Sequence, residues 1–428
     1  MNVATAPSHI TAVRVTPIAF RDPPLLNVAG VHEPWALRSI IEVETADGRI
    51  GLGESYGDLK TLANLARVAP QLVGVDVFDT NALIRIVYAS VGGDPDPGAA
   101  FPPQGDKARA TIVGAFEVAL LDLQAQCVGL PLYQLLGGAV RPALPFSAYL
   151  FYKFERHHGI DHEPLDDWGE VLTPAQMVGE ARRMVAQYGF GSIKLKGGVF
   201  APEVEIDALI ALRVAFPGMP LRIDPNGGWT VETTRRVLPA LAAEGLLEYL
   251  EDPVSTLQEM GEVARFANGM PLATNMVTIA FGHLPETVRL GAVQVILSDH
   301  HYWGGLRATQ QLAAIGRSFG IGISMHSNSH LGISLAAMTH VGVTIPNLRY
   351  ACDTHYPWQV DEVITGGKLQ IRDGQLAPPA GIGLGVTLDR VQLARLHRNY
   401  LDCGVRMRDD AKEMRKHRPD FDDRRPRF

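Results

Sequence analysis

The chain has 428 residues, 46% of them hydrophobic, and a formal net charge of -7. That length predicts one large and one smaller domain with an extensive interior, and the charge excludes the concentrated basic surface that nucleic acid requires. Three cysteines at wide spacing, Cys127, Cys352 and Cys403, exclude a disulfide framework and a thiolate zinc site and fit a reducing cytoplasm.

Met1 to Pro17 lacks the basic start and apolar run of a signal peptide, and no later segment approaches a membrane span, so a soluble protein without a membrane partner is expected. Thr11 to Phe20, Leu37 to Thr45 and Ile50 to Glu54 read as strands, the last two joined by the hairpin signal Ala46-Asp47-Gly48-Arg49. A Pro/Gly loop from Asp22 to Pro34 carries His32. Leu59 to Leu72, Asp79 to Ala89 and Ala108 to Gln126 have helical periodicity, the last with Ile112, Ala115, Phe116, Ala119, Leu120 and Leu123 on its apolar face. Strands followed by helices predict an α+β unit.

A different rhythm follows. Candidate strands recur at Pro145 to Tyr152, Ser192 to Lys196, Leu221 to Asp224, Glu248 to Glu251, Pro271 to Asn275, Val293 to Asp299, Gly322 to His326 and Leu348 to Asp353. Helical stretches separate most of them. Short apolar strands alternating with helices over roughly 240 residues match a closed parallel barrel, and no helix is evident after the eighth strand. Beyond it come a hairpin (Lys368 to Leu376), a helix (Leu388 to Tyr400) and a charged tail that reads by default as solvated surface.

Catalytic groups of such barrels sit at the C-terminal ends of the strands. Period-two alternation puts Lys194 and Lys196 on one face of the second strand, and Asp224 and Asn226 on one face after the third. Taken singly, each motif reads more readily as a polar edge strand or the start of a turn than as a site; the succession of charged strand ends favours a site. Asp224, Glu251 and Asn275 end consecutive strands with hard oxygen donors, which suits Mg²⁺. Asp299 beside His326 is the arrangement in which a carboxylate orients an imidazole and raises its basicity. Lys196 can act as a base if the Lys194 ammonium and a divalent cation lower its pKa. A base on each side of a metal-bound substrate suits proton abstraction α to a carboxylate. His326 and His330 lack the glutamate of a zinc-protease motif, and Gly51-Leu52-Gly53 lacks the third glycine of a dinucleotide site.

These residues resemble the enolase superfamily, and within it the glucarate dehydratase family, over nearly the whole chain. The resemblance rests on the His32 loop, Lys-Leu-Lys-Gly-Gly, Asp-Pro-Asn-Gly-Gly-Trp, Leu-Glu-Asp-Pro, Ala-Thr-Asn-Met, His-Ser-Asn-Ser-His, Cys-Asp-Thr-His and Arg408-Asp409-Asp410-Ala411, in that order. It implies an α/β modified TIM barrel, (β/α)₇β, at 141–365, an α+β capping domain at 1–140, and a C-terminal segment at 366–428 that returns to the cap. It further implies Mg²⁺ on Asp224, Glu251 and Asn275, with Lys196 as one base and His326, paired with Asp299, as the other. His32, Tyr149, Lys194, Asn226, Asn328, His355 and Arg408 are then expected to bind the substrate. The expected activity is that of a hydro-lyase: dehydration of a hexarate, D-glucarate or its C5 epimer L-idarate, by a cytoplasmic homo-oligomer. Dehydration or epimerisation of another acid sugar, or an inactive family member serving as a binding subunit, are the alternatives. Pro102-Pro103-Gln104-Gly105 stands where the family places a substrate-binding Thr-Phe pair, and an insertion from Lys153 to Leu172 carries His157, His158 and His162.

Overall fold

The computed structural model describes residues 7–92, 105–159 and 166–428. Pro102 to Gln104 and His162, singled out above, lie outside those residues. Three antiparallel strands, β1 (Ile10–Arg21), β2 (Trp35–Thr45) and β3 (Ile50–Tyr56), form the first sheet in the order β1-β2-β3. Helices α1 (Leu59–Val68) and α2 (Thr80–Ser90) precede a long α3 (Gly105–Val128) that packs across the sheet. Pro70 turns the last part of the first expected helix into a 3₁₀ turn, Ala69–Leu72.

The glycines of Gly51-Leu52-Gly53 have a packing role. A Cβ at Gly51 would strike the carbonyl of Ala119, and one at Gly53 would lie 2.6 Å from that of Ala115, so only glycine lets β3 seat directly on α3. The other side of α3 faces the barrel, where Glu117 accepts hydrogen bonds from the backbone N–H of Leu306 (2.7 Å) and Arg307 (3.2 Å). Among the described residues Lys107–Val128 is long and apolar enough to cross a membrane, and 83% of its most apolar window is buried inside the fold. Its all-round apolarity follows from a position between cap and barrel.

Seven parallel strands follow: β4 (Ala148–Phe151), β5 (Ile193–Lys196), β6 (Leu221–Asp224), β7 (Tyr249–Glu251), β8 (Leu272–Thr274), β9 (Val295–Ser298) and β10 (Gly322–Met325). Every residue in them is buried, as strands covered on both faces must be. The expected eighth strand is an irregular segment joined to both edges. Leu348 bridges Ile323 of β10 and Cys352 bridges Phe146 just before β4. Asp353 N–H also donates to Met325 O at 2.8 Å, and Cys352 N–H to Pro145 O at 2.8 Å. A curled parallel sheet closed by this segment is the modified TIM barrel. The helices α4 (Pro174–Tyr188), α5 (Pro202–Ala215), α6 (Val231–Ala242), α7 (Leu257–Phe266), α8 (Leu284–Leu290), α9 (Leu306–Ser318) and α10 (Gly332–Gly342) follow the successive strands.

Two expectations for the C-terminal part need correction. The hairpin expected at Lys368 to Leu376 is present only at its Asp373-Gly374 turn, where Arg372 and Gln375 exchange backbone hydrogen bonds of 2.9 Å; beyond it Gln375–Leu376 pairs with Leu144–Pro145, with Gly374 tied to Tyr188 O and Phe146 N. Nor is the charged tail simply solvated. Helix α11 (Arg390–Asp402) lies on β1, with His397 Nδ1 2.7 Å from Pro17 O, and α12 (Asp410–His417) packs on the Leu26–Val31 hairpin. Arg427 donates from its N–H to Gly228 O (2.8 Å) and from Nη2 to Val28 O (2.6 Å). The tail thereby joins the cap loop to the loop after β6.

Behind β4 lies a buried acid. Glu180 of α4 is 1% exposed; its Oε2 accepts only a long bond from Phe151 N–H at 3.4 Å, and Oε1 has no hydrogen-bond partner among the described residues. Burial pushes its pKa from 4.5 up to about 8, against the opposing pull of that bond, Lys153 and Arg183. Glu180 therefore contributes stability that is full below pH 4.5 and lost as pH rises through about 8. Glu180→Gln, which mimics the protonated acid, is expected to gain in Tm relative to the parent between pH 5 and 8 and then hold a constant margin. A margin independent of pH in thermal melts would show that the acid ionises normally.

Candidate active site at the strand ends

The ends of β5 to β10 converge under the cap. Lys194 Nζ, fully buried, donates to Glu251 Oε2 and to Asp353 Oδ2, both at 2.6 Å, and lies 3.6 Å from Asp224 Oδ2. Lys196 Nζ donates to the same Asp224 oxygen at 2.7 Å. The β5–β6 register, which pairs Lys196 with Asp224, sets that contact. Asp224 Oδ1 accepts the backbone N–H of Asn226 at 2.9 Å, and this local turn holds Asn226 in the left-handed region at φ 58°.

Carboxylate oxygens of Asp224, Glu251 and Asp252 lie within 4.8 Å of one another. Asp252 is already engaged: Oδ1 accepts Thr274 Oγ1–H at 2.5 Å and Oδ2 accepts Asn275 N–H at 2.8 Å. Its φ of 36° is the strained conformation that turns the carboxylate back toward β8. Two other buried oxygens, Glu251 Oε1 and Asn275 Oδ1, make no hydrogen bond among the described residues. Burial pushes the Glu251 carboxyl well above its usual range; Lys194 opposes this, and Asp224, Asp353 and Asp252 add to it. A buried cluster of acids with two open oxygen donors is what a divalent cation with hard-ligand preference would relieve. Asp224, Glu251 and Asn275 fit such an ion, with Asp252 holding the third in place.

Across the barrel, His326 Nδ1 is 3.3 Å from Asp299 Oδ2. Burial lowers the His326 pKa, Asp299 raises it, and Lys194 and Lys196 add to the lowering, so the net direction is down. The pairing expected from sequence is present, but its effect on basicity is outweighed; the neutral ring is the form that accepts a proton. For Lys196 the expectation also shifts. Burial lowers its pKa, yet Asp224 and Tyr149 carry the net direction upward. Only a cation that takes up the charge of Asp224 would free this lysine to act as a base.

Lys196, Asn226, His326, Asn328 and Tyr56 line two hollows of about 350 and 630 Å³ that share these residues. His32, Tyr149, His355 and Arg408 line the smaller, and Asn275 the larger. Lys194 lies beneath, with its ammonium 4.9 Å from the Tyr149 ring centre. His32 is held by Asp22, whose Oδ2 is 3.0 Å from Nδ1, and stacks on His355 at 5.8 Å between ring centres. His355 is buried with Nδ1 unpartnered among the described residues. Arg408 spends its Nε–Nη2 edge on Asp410 (2.6 and 2.5 Å), and Asp410 also accepts from Asn27 Nδ2 at 2.8 Å. The insertion reaches the site as well, because His157 Nε2 is 2.9 Å from His32 O.

Sequence reasoning gave no site role to Asp252, Tyr56 or His301, nor to Asp353, which it read only as the charged end of the eighth strand. Asp252 and Asp353 stand at strand ends, so their place was a usable signal. Tyr56 and His301 touch Asp299 (3.4 and 2.6 Å) from the cap and from the loop after β9, contacts that depend on the tertiary fold.

Two family models match the chain: "Mandelate racemase / muconate lactonizing enzyme, N-terminal domain" over 9–137 and "Enolase C-terminal domain-like" over 176–392. A Streptomyces coelicolor protein named "Probable glucarate dehydratase" is 53% identical over 422 residues, covering 96% of this chain and 97% of its own. The crystal structure of an enolase from Pseudomonas fluorescens with bound magnesium, potassium and tartrate superposes with a TM-score of 0.94 at 52% identity, covering 98% of this chain and 99% of that one. One from Mycobacterium smegmatis complexed with tartrate gives 0.93 at 51%, covering 100% of both.

Proposed function

Because the chain belongs to the enolase superfamily, we propose that it is a glucarate dehydratase-like hydro-lyase that converts D-glucarate and its C5 epimer L-idarate to 5-keto-4-deoxyglucarate. Asp224, Glu251 and Asn275 would hold Mg²⁺. When bound, that ion neutralises the charge that develops on the substrate carboxylate as the α-proton leaves.

The chain's own groups handle the protons. Lys196 Nζ serves one face of the α-carbon and His326 Nε2 the other, its Nδ1 being directed at Asp299. The α C–H bond breaks toward one of these bases, the β C–O bond breaks, and the hydroxyl leaves with a proton as water. The resulting enol becomes the ketone. Lys194, buried between Glu251 and Asp353, keeps a fixed positive charge where the carboxylate charge grows. The observation that carries this reading is that Lys196 and His326, on β5 and at the end of β10, line shared hollows, the larger of which Asn275 with its open oxygen also lines.

A diacid substrate follows from charge. With Asn275 in place of a third carboxylate, two carboxylates and a divalent cation sum to zero; one more unit charge about 4 Å away, at an effective dielectric near 20, would cost about 4 kcal/mol before screening. Tartrate, found in two solved relatives, is itself a hydroxy diacid. His32, Arg408, Asn226, Asn328, Tyr149 and His355 would receive the distal end, with Arg408 offering the edge that Asp410 leaves free. Three free cysteines suit the cytoplasm as the setting.

A ketoacid assay on a panel of hexarates and hexonates with Mg²⁺ tests the proposal. Hexarates are expected to turn over at least about 100-fold more efficiently, a gap of nearly 3 kcal/mol, and Arg408→Ala should narrow it. Equal efficiency on both classes, or epimerisation without ketoacid, would overturn the reading.

A further inference from the structure

Asp299 has a second and closer histidine. His301 Nδ1 is 2.6 Å from Asp299 Oδ1, and the His301 backbone N–H donates to the same oxygen at 2.9 Å. The far nitrogen, His301 Nε2, is 2.6 Å from Arg38 Nη2 on β2. A guanidinium can only donate, so His301 Nε2 must accept and the ring proton must sit on Nδ1, aimed at Asp299. One histidine tautomer is thus dictated by the cap.

Arg38 is itself fixed. Its side chain is 2% exposed, and Nε donates at 3.1 Å to the fully buried Glu54 of β3. Glu54 in turn accepts the backbone N–H of Leu331 (2.8 Å) and Ser334 (2.9 Å) at the start of α10, the helix that follows the His326 loop. Asp299 Oδ1 is consumed by His301, which leaves Oδ2 for His326 Nδ1 (3.3 Å) and the Tyr56 hydroxyl (3.4 Å). Asp299, His300 and His301 bring potential ligand atoms within 4.8 Å of one another, but the Arg38 charge beside His301 opposes a cation there.

We propose that Arg38 and His301 are positioning residues. They lock the rotamer of the Asp299 carboxylate so that its free oxygen holds the Nδ1–H of His326 and presents Nε2 to the substrate. The relay makes one base of the pair dependent on cap docking, whereas Lys196 takes its position from Asp224 on the neighbouring strand. This rests on the reading of His326 as a base.

The test follows solvent-deuterium exchange at the α-carbon of D-glucarate and L-idarate by NMR in the Mg²⁺-loaded protein, which reports the two faces separately. His301→Leu is expected to slow exchange from the His326 face by roughly 100-fold, within the range a general base contributes. Exchange from the Lys196 face, measured in the same samples, should stay within a few-fold and so control for folding. His301→Asn, whose amide N–H can stand near the place of Nδ1–H, should recover much of the loss, and Arg38→Met should fall between. Equal loss from both faces, no loss from the His326 face, or Asn no better than Leu would overturn the relay. His326→Asn is the separate control: if it retains exchange from its face, the base assignment fails first.

Discussion

Stripping divalent cations from the purified protein is expected to reduce hexarate turnover by about a thousandfold or more, several kcal/mol of transition-state stabilisation, and added Mg²⁺ to restore it. The reason lies in the acids around Lys194. Asp224, Glu251, Asp252 and Asp353 are all buried there, and the neighbouring cations are already committed: Lys194 to Glu251 and Asp353, Lys196 to Asp224. Their charge is balanced against these carboxylates, so a further cation is needed to take up the charge that leaves carbon as the proton departs. Glu251 Oε1 and Asn275 Oδ1 point to the missing charge, since each is buried without a hydrogen bond among the described residues. Glu251→Gln keeps the shape of the site but removes one of its two ligand charges, so it should require far more Mg²⁺ for half-maximal turnover. Asp252→Asn should act more mildly, through the loosened Asn275 backbone. Undiminished turnover in chelator would remove the metal from the account.

Strand alternation made much of this site legible. Lys194 with Lys196, and the acids ending the next strands, could be placed on one rim because period two and a parallel barrel leave few alternatives. The helix Ala108 to Gln126 was legible for a similar reason; the structure extends it to Gly105–Val128. What sequence could not carry was anything set by contacts between distant elements. Arg38 and His301 are 263 positions apart, and nothing in either neighbourhood signals the other. The direction of the Lys196 pKa turned on a distance of 2.7 Å to Asp224, whereas the residue types alone suggested the neighbouring lysine and a divalent cation, both of which lower it. Gly51-Leu52-Gly53 could be rejected as a nucleotide loop, but its role beneath α3 needed the helix in place. The eighth strand was located correctly, yet its irregular pairing reflects local bridges at Leu348 and Cys352 that no propensity encodes. Arg427 shows the same limit from the other side: a basic tail looks solvated until carbonyls at Gly228 and Val28 come within reach.

The two-base arrangement predicts opposite outcomes for two single substitutions. Lys196→Ala removes the group at the end of β5, and His326→Ala the one at the end of β10, with the cation site between them untouched in sequence. Each should lower proton exchange from its own face by about 10²- to 10⁴-fold while leaving the opposite face within an order of magnitude, because the remaining base keeps its own partner, Asp299 or Asp224. Nearby charge will modulate both, since each lysine lowers the His326 pKa. The most direct measurement is the stereochemistry of deuterium incorporation at C5, read by proton NMR with D-glucarate and with L-idarate in D₂O for the parent protein and both variants. The account predicts that Lys196→Ala and His326→Ala lose exchange with opposite configurations; loss of the same configuration in both, or exchange from both faces in either, would contradict it.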